Sequence, residues 1–198
     1  DVDDTALVGM FLDRYNRTKQ NKKVEDCLER TRKWIISMQS KNGGWGAFDV
    51  NNDHSYLNSI PFADHGALLD PPTADVSARC ISFLKQQNDS RNNDSIKKGL
   101  NYLISEQEKD GSWFGRWGTN YIYGTWSVLC ALNLLEFPKK KEVLKKSTEY
   151  LKSMQRNDGG WGEDAKSYFK GYENYVKEST PSQTAWAIMG LISVGELD

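Results

Sequence analysis

Apolar side chains recur every three to four residues in several segments, which is the period of a helix that buries one face. Residues 143–155 place six apolar or small side chains at this spacing, and residues 24–39 and 96–107 behave alike. An Asn-Gly or Asp-Gly step follows each segment and favours a helix end, because glycine accepts a positive φ at little cost. The pattern predicts amphipathic helices whose charged faces point outward.

Residues 75–84, 124–132 and 181–191 form a second set that is more uniformly apolar and rich in small residues. Such segments are typical of buried, inner helices. Thr180 is the predicted N-cap of the last one, with Pro181 at its first helical position. The start of the chain resembles this set. When the four predicted inner helices are aligned by their residue pattern, Asp4, Asp75, Gly124 and Gln183 fall at the same position.

An internal repeat marks the ends of the amphipathic helices. An aromatic residue is followed after five residues by Gln, and after six more by the Trp of a Gly-x-Trp turn. The pattern occurs at 34–45, 102–113 and 150–161, with starts 68 and 48 residues apart. We predict that each Trp folds back onto its helix end, where its indole N–H and the Gln amide find polar partners.

Alternation of outer and inner segments predicts an all-α fold with about seven helices in outer–inner pairs. We interpret it as an α/α toroid, part of an (α/α)6 barrel, with residues 1–198 forming a single partial domain. Long loops at 41–72, 110–121 and 157–180 enter the inner helices at one end. Loops of this length are often functional, so we expect the site at that end.

Composition narrows the function classes. A net charge of -1, from 26 basic and 27 acidic residues, gives no reason to expect nucleic-acid binding. Three widely spaced cysteines and two histidines, His54 and His65, show no metal-ligand spacing, which favours reduced thiols in a cytosolic protein. The chain opens on Asp-Val-Asp-Asp rather than Met, so we expect a fragment or processed chain.

Residues 1–4 place three carboxylates at the predicted start of the first inner helix. One carboxylate satisfies the need for an N-cap, and three exceed it. Crowded carboxylates do not all ionise easily, so at least one can stay protonated and serve as a general acid. Asp75 starts another inner helix and can approach the same end.

Residues 1–6 resemble the DxDD motif of class II terpene cyclases, and the repeat resembles the QW motifs of squalene-hopene and oxidosqualene cyclases. Further segments that resemble squalene-hopene cyclases lie at 44–52, 70–76, 111–118 and 179–186, so the likeness covers essentially the whole chain in order. It implies an enzyme that protonates a double bond of a linear polyprene, such as squalene or a C35 prenoid. It also implies that no metal or organic cofactor is needed.

The resemblance assigns roles to individual residues. It implies that Asp3 is the acid and that Asp1 and Asp4 hold and polarise it. It further implies an acid network containing Asp75 and Tyr123, aromatic cavity positions at Phe48 and Trp117, and an entrance-channel position at Phe62.

Two positions depart from the family pattern. Hopene-forming enzymes carry His where this chain has Arg79, and a fixed cation near Asp3 favours the carboxylate over the protonated acid. We hypothesise that Arg79 pairs with Asp1 or Asp75 and leaves Asp3 protonated. Phe48 stands where squalene cyclases often carry Tyr, which hints at a different substrate or product.

Partner expectations follow from the same resemblance. We expect a cytoplasmic protein with peripheral contact to the inner face of the membrane, since the substrate dissolves in lipid. An open partial toroid exposes an apolar inner face, which predicts that this chain alone is inactive or self-associates. Two alternatives stay open: a non-catalytic toroid binding module, and a glycan-processing toroid, because exposed Trp side chains with carboxylates suit sugars. A protein prenyltransferase β-subunit or a thioester protein is disfavoured, because zinc ligands and a Cys-Gly-Glu-Gln-type segment are lacking.

Overall fold

A computed structural model describes residues 1–60, 68–169, 171 and 178–196 of the protein. These residues contain seven α-helices and no β-strand, which confirms the all-α prediction. The helices are α1 (Val2–Lys19), α2 (Lys22–Ser37), α3 (Ala74–Gln86), α4 (Asn93–Ser105), α5 (Tyr121–Asn133), α6 (Lys140–Ser153) and α7 (Pro181–Ser193). None of the described helices is both long and apolar enough to cross a membrane.

The chain divides into two compact units, residues 1–102 and 103–198, with the boundary inside α4. In the first unit, α1 packs against α2 and α3. In the second unit, α5 packs against α6 and α7. Each unit therefore shows the predicted pairing of an inner helix with an outer helix and with the next inner helix. That residues 1–198 form a single partial domain stays a prediction.

Each repeat turn is closed by its Trp side chain, as the spacing predicted. The indole Nε1 donates to the carbonyl ten residues earlier, at 2.7 Å in all three copies: Trp45 to Ile35, Trp113 to Leu103 and Trp161 to Leu151. All three indoles are buried. The Gln amide of each copy donates to the first glycine of its turn: Gln39 to Gly43, Gln107 to Gly111 and Gln155 to Gly159. The last carbonyls of a helix lack intrahelical donors, and the indole supplies one.

A hydroxyl on an inner helix fixes the backbone of each turn. The N–H of the repeat Trp donates to Ser77 Oγ at 2.9 Å, to Thr125 Oγ1 at 3.1 Å and to Thr184 Oγ1 at 3.0 Å. Ser77 is therefore equivalent to Thr125 and Thr184, and the alignment predicted above is wrong by one residue at Asp75. The sequence pattern matched the β-branched Val76 to the two threonines, whereas the structure selects the residue that carries the hydroxyl.

The inner helices differ in how far they are buried. Helices α3 and α5 are almost entirely buried. The predicted N-cap of α7 is confirmed, because Thr180 Oγ1 accepts a hydrogen bond from the N–H of Gln183 at 3.2 Å. Helices α1 and α7 instead expose apolar side chains such as Phe11 and Ile192. The prediction that the inner helices are buried thus holds for α3 and α5. It is wrong for the sides of α1 and α7 that carry these exposed side chains, because no described residue covers those sides.

Removing one indole N–H tests how much the repeat turn stabilises the fold. We expect Trp113→Phe to lower the free energy of unfolding by about 1–3 kcal/mol, because the buried Leu103 carbonyl loses its donor. Denaturant unfolding monitored by circular dichroism measures the change. Trp117→Phe is the matched control: that indole is exposed, and we expect a loss of about 0.5 kcal/mol or less. Equal losses in the two variants would contradict the role assigned to the bond.

Candidate acid site

The three carboxylates at the chain start point in different directions because they occupy the first turn of a helix. Asp1 is the N-cap of α1, and its Oδ1 accepts from the N–H of Asp4 at 2.9 Å. Asp1 and Asp4 are exposed. Asp3 faces α3, and only 18% of its side chain is exposed. Among these three carboxylates, Asp3 is therefore the one whose pKa the surrounding protein can change.

Arg79 reaches Asp3 from the facing helix α3. Its Nη1 donates to Asp3 Oδ2 at 2.7 Å, and only 11% of the Arg79 side chain is exposed. The hypothesis paired Arg79 with Asp1 or Asp75 and left Asp3 protonated, whereas the structure gives Arg79 an ion pair with Asp3 itself. The reason is geometric: α1 and α3 pack against each other, and the two side chains meet across that contact.

Burial and charge act on Asp3 in opposite directions. Burial raises the pKa of Asp3 and is the largest single influence on it, whereas the charge of the Arg79 guanidinium and its hydrogen bond lower the pKa. The negative charges of Asp75 and Asp4 raise the pKa further, so the net direction is upward from 3.8. Asp75 is fully buried in the first turn of α3, which explains its influence. Asp3 is thus easier to protonate than an ordinary aspartate even beside an arginine.

The two oxygens of Asp3 have different surroundings. Oδ2 accepts from Arg79, whereas Oδ1 is buried and has no hydrogen-bond partner among the described residues. A buried oxygen without a donor favours the neutral acid, with the proton on that oxygen. Oδ1 is therefore the atom from which a proton can be donated.

Cys80 follows Arg79 and is completely buried. Burial, together with the charge of Asp3, raises the pKa of its thiol well above the usual range. Cys80 therefore stays a neutral thiol and adds no negative charge to those of Asp75 and Asp4 beside Asp3.

Asp70 is a buried carboxylate outside the aspartate motif and the Trp repeats. It accepts from the backbone N–H groups of Ala47, Phe48 and Asp49 at 3.2, 2.6 and 2.7 Å. The Ala47 carbonyl in turn accepts from the N–H of Val2 at 2.8 Å. This chain of bonds fastens the segment that carries the exposed Phe48 to the first turn of α1. The apolar neighbours Leu69 and Pro71 are the sequence signal that could have indicated a buried acid.

Glu163 has a similar function in the second unit and was also missed. Its carboxylate accepts from the N–H groups of Asn120, Tyr121 and Ile122 at 3.0, 3.0 and 3.1 Å. It therefore caps the start of α5, where the orphan N–H groups and the helix dipole favour an acid. The signal is its place two residues after Trp161, next to the repeat turn.

The remaining residues predicted for the site lie in the second unit or outside the described residues. Tyr123 is buried in the first turn of α5, with its ring centroid 4.9 Å from that of Trp186. Trp117 is exposed, and the Arg116 guanidinium lies 5.6 Å from its ring centroid. That these two residues share one site with Asp3 stays a prediction. Phe62 and His65 lie outside the described residues.

Comparison with solved structures bears on the fold. The ent-copalyl diphosphate synthase from Streptomyces platensis matches with a TM-score of 0.59 and 17% identity, covering 81% of this chain and 26% of that one. At this identity the likeness shows the fold alone, which is the helical fold expected of part of an α/α toroid. Together with the aspartate motif and the Trp repeats, it defines a class II terpene cyclase-like chain.

The chain belongs to the squalene-hopene cyclase family. The family model described as the squalene-hopene cyclase C-terminal domain matches residues 1–198. The chain is 55% identical to the squalene-hopene cyclase of Zymomonas mobilis over 198 residues and 46% identical to that of Alicyclobacillus acidocaldarius. It is also 41% identical to the dammaradiene synthase of Dryopteris crassirhizoma. The matches cover 99–100% of this chain but only 30–31% of these relatives.

Removing the Arg79 cation tests the opposing effects on Asp3. We expect Arg79→Gln to raise the pKa of Asp3 further, because burial and the neighbouring carboxylates then act without the guanidinium. A carbon-detected NMR titration of the Asp3 carboxyl measures the shift. Arg91→Gln is the control, because Arg91 pairs with Glu29 and Asp89 rather than with Asp3. A lowered or unchanged value in Arg79→Gln would contradict the assignment.

The same shift predicts a pH dependence of stability. Because the folded-state pKa of Asp3 is raised, its contribution to stability is fully present below the ordinary value of 3.8. The contribution is lost as the pH rises through the raised folded-state value. The free energy of unfolding of the wild type should therefore fall over this range relative to that of Asp3→Asn. A difference that stays constant or grows with pH would argue against a raised pKa.

Proposed function

We propose that this chain is the acid-bearing part of a class II polyprene cyclase, which converts a linear polyprene such as squalene or a C35 prenoid to a polycyclic product. The observation that carries the proposal is Asp3, a largely buried acid with a raised pKa, one oxygen held by Arg79 and the other without a partner. Relatives named squalene-hopene cyclase, at 46% and 55% identity, support the substrate class.

The reaction begins with proton transfer from Asp3 Oδ1 to a terminal carbon–carbon double bond. The π electrons of that bond form the new C–H bond and leave a tertiary carbocation. Successive double bonds attack the cation and form the ring C–C bonds. Loss of a proton from the last cation gives an isomer of the substrate, whereas capture of water followed by loss of a proton gives an alcohol.

Arg79 has two opposing effects in this scheme. It lowers the pKa of Asp3, which works against loading the proton, but it makes the loaded acid stronger. Once the proton has left, Oδ2 already carries a charge-assisted hydrogen bond from Arg79, which stabilises the new carboxylate. Burial and the charge of Asp75 raise the pKa of Asp3, which favours the protonated acid before the reaction.

The aromatic positions have a role that follows from the chemistry of carbocations. Water quenches such cations, so the cavity has to exclude it. An aromatic face is negative and stabilises positive charge without adding to it covalently. We assign this role to Phe48 and Trp117, a place in the proton-supply network to Asp75 and Tyr123, and a place at the substrate entrance to Phe62.

The substrate also bears on the cellular setting. A linear polyprenoid dissolves in lipid, so we propose a cytoplasmic protein in peripheral contact with the inner face of the membrane. The chain spans 30% of the length of the Zymomonas mobilis relative, and we propose that the 198 residues alone are inactive.

Replacing Asp3 tests the proposed acid. We place residues 1–198 in the Zymomonas mobilis relative in exchange for its matching segment and incubate the chimera with squalene or a C35 linear prenoid in mild detergent. Mass spectrometry should detect isomeric cyclic products. We expect Asp3→Asn to lower their rate of formation by at least about a hundredfold, the scale of general-acid catalysis.

Asp94→Asn in the same chimera is the matched control, because Asp94 is an exposed carboxylate on α4 paired only with Lys98 among the described residues. It should leave the rate unchanged. Retained activity in Asp3→Asn would show that another group is the acid. A folded chimera without product from either substrate would favour the non-catalytic binding module.

A further inference from the structure

The side chain of Gln86, the last residue of α3, binds α1 at the end of the contact that lies away from the acid. Its Nε2 donates to the Met10 carbonyl and to Asp13 Oδ2, both at 2.8 Å. Its Oε1 accepts from Arg14 Nε at 3.1 Å, and its backbone carbonyl accepts from Arg17 Nη2 at 3.0 Å. Both ends of the amide group are therefore paired with α1.

The acid pair and the Gln86 contact depend on the same alignment of the two helices. Arg79 bonds Asp3 across 76 residues of sequence, and Gln86 bonds Met10 across the same 76 residues. Asp3 and Met10 are seven residues apart on α1, which is about two helical turns. Arg79 and Gln86 are also seven residues apart on α3, so the two helices run parallel in one register.

Gly9 restricts this register by packing. A Cβ placed on Gly9 would lie 2.6 Å from Cε2 of the Phe83 ring, which is completely buried. Gly9 is the single glycine of α1, so a slip of one turn in either direction would bring a residue with a Cβ against that ring. Packing therefore disfavours the neighbouring registers, but an attractive contact is still needed to hold α1 in the observed one.

Gln86 supplies that contact, and Asp13 makes it specific for one position on α1. Asp13 provides the side-chain acceptor for the Gln86 amide and is itself held by Arg17 at 2.8 Å. One turn earlier on α1, Gly9 offers no side-chain acceptor, and one turn later Arg17 offers a donor instead. The hydrogen bonds of Gln86 therefore favour the same register as the packing of Gly9.

The ion pair between Arg79 and Asp3 is sensitive to this register. Both side chains are largely buried, so both lose water when they meet, and only good geometry offsets that loss. A slip of one helical turn is about 5.4 Å along the helix axis. Such a slip would break the bond of 2.7 Å between Arg79 Nη1 and Asp3 Oδ2.

We propose that Gln86 is a positioning residue for the acid and holds α1 in the register at which Arg79 meets Asp3. Gln86 lies two turns from Arg79 on α3, so it acts through the alignment of the helices. Without Gln86, the cation is held less firmly beside Asp3 and lowers the pKa of that carboxyl less. The inference rests on the proposed function where it concerns catalysis, whereas the ion pair can be measured without turnover.

A double-mutant cycle on the pKa of Asp3, measured by carbon-detected NMR titration, tests the proposal. Gln86→Met keeps the length of the side chain and removes its hydrogen bonds, and we expect it to raise the pKa of Asp3, as Arg79→Gln does. In an Arg79→Gln background, Gln86→Met should add no further rise, because no cation remains to be displaced. A residue that only stabilised the fold would shift the pKa equally in both backgrounds. Circular dichroism confirms that each variant is folded.

The neighbouring residue provides a matched control. Gln87→Met should leave the pKa of Asp3 unchanged, because Gln87 Oε1 has no hydrogen-bond partner among the described residues. Asp13→Leu removes the acceptor and should reproduce the rise, whereas Asp13→Asn keeps an acceptor oxygen and should not. The proposal would be overturned by an unchanged pKa in both Gln86→Met and Asp13→Leu, by an equal rise in Gln87→Met, or by an equal rise in the Arg79→Gln background.

Turnover of the chimera separates this inference from the proposed function. We expect Gln86→Met to lower the rate of cyclisation about tenfold, because the carboxylate formed at Asp3 loses part of its bond from Arg79. Gln87→Met should keep the full rate. A raised pKa with an unchanged rate would overturn the positioning role. A folded chimera that forms no product would refute the proposed function, and the double-mutant cycle would then decide the role of Gln86 in the ion pair.

Discussion

The bond from a buried indole N–H to the carbonyl ten residues earlier organises this molecule. A helix ends with carbonyls that lack donors, and a loop that follows a helix needs a fixed direction. Each repeat Trp meets both needs, because its ring is buried and its N–H satisfies one of those carbonyls. With the turn fixed, the Trp backbone N–H can reach a hydroxyl on the inner helix, and the glycine can accept the next outer helix.

The pKa of Asp3 is set mainly by two opposing effects, burial of its carboxyl group and the charge of Arg79. A buried aspartate without a cation would hold its proton tightly and be a weak acid, whereas an exposed aspartate beside an arginine would be ionised. At Asp3 burial raises the pKa, Arg79 lowers it and the net direction is upward, and in the proposed mechanism the same cation stabilises the carboxylate that forms. Asp75 contributes from a fully buried position, which makes the first turn of α3 as relevant to the acid as α1 itself.

Much of the fold was predictable because it depends on local spacing. Helical periodicity, glycine steps and the repeated Gln and Trp residues act within about a dozen residues, so the seven helices and the closing of each turn could be derived from the sequence. The partner of Arg79 could not, since it depends on which faces of α1 and α3 meet. Asp70 and Glu163 were missed for a related reason: their partners are backbone amides, which leave no trace in side-chain identity. The one-residue error at Asp75 arose because Val76 resembles threonine in shape while Ser77 carries the hydroxyl.

The hydrogen bonds of Asp70 to residues 47–49 fix the position of that backbone independently of which side chains it carries. Asp70 holds three consecutive backbone N–H groups, and none of these contacts uses the side chains of residues 47–49. Substitutions within that segment can therefore change its shape and polarity while the main chain stays where it is. A family of enzymes could diversify its products at such a segment, because new side chains appear there without a new fold having to evolve.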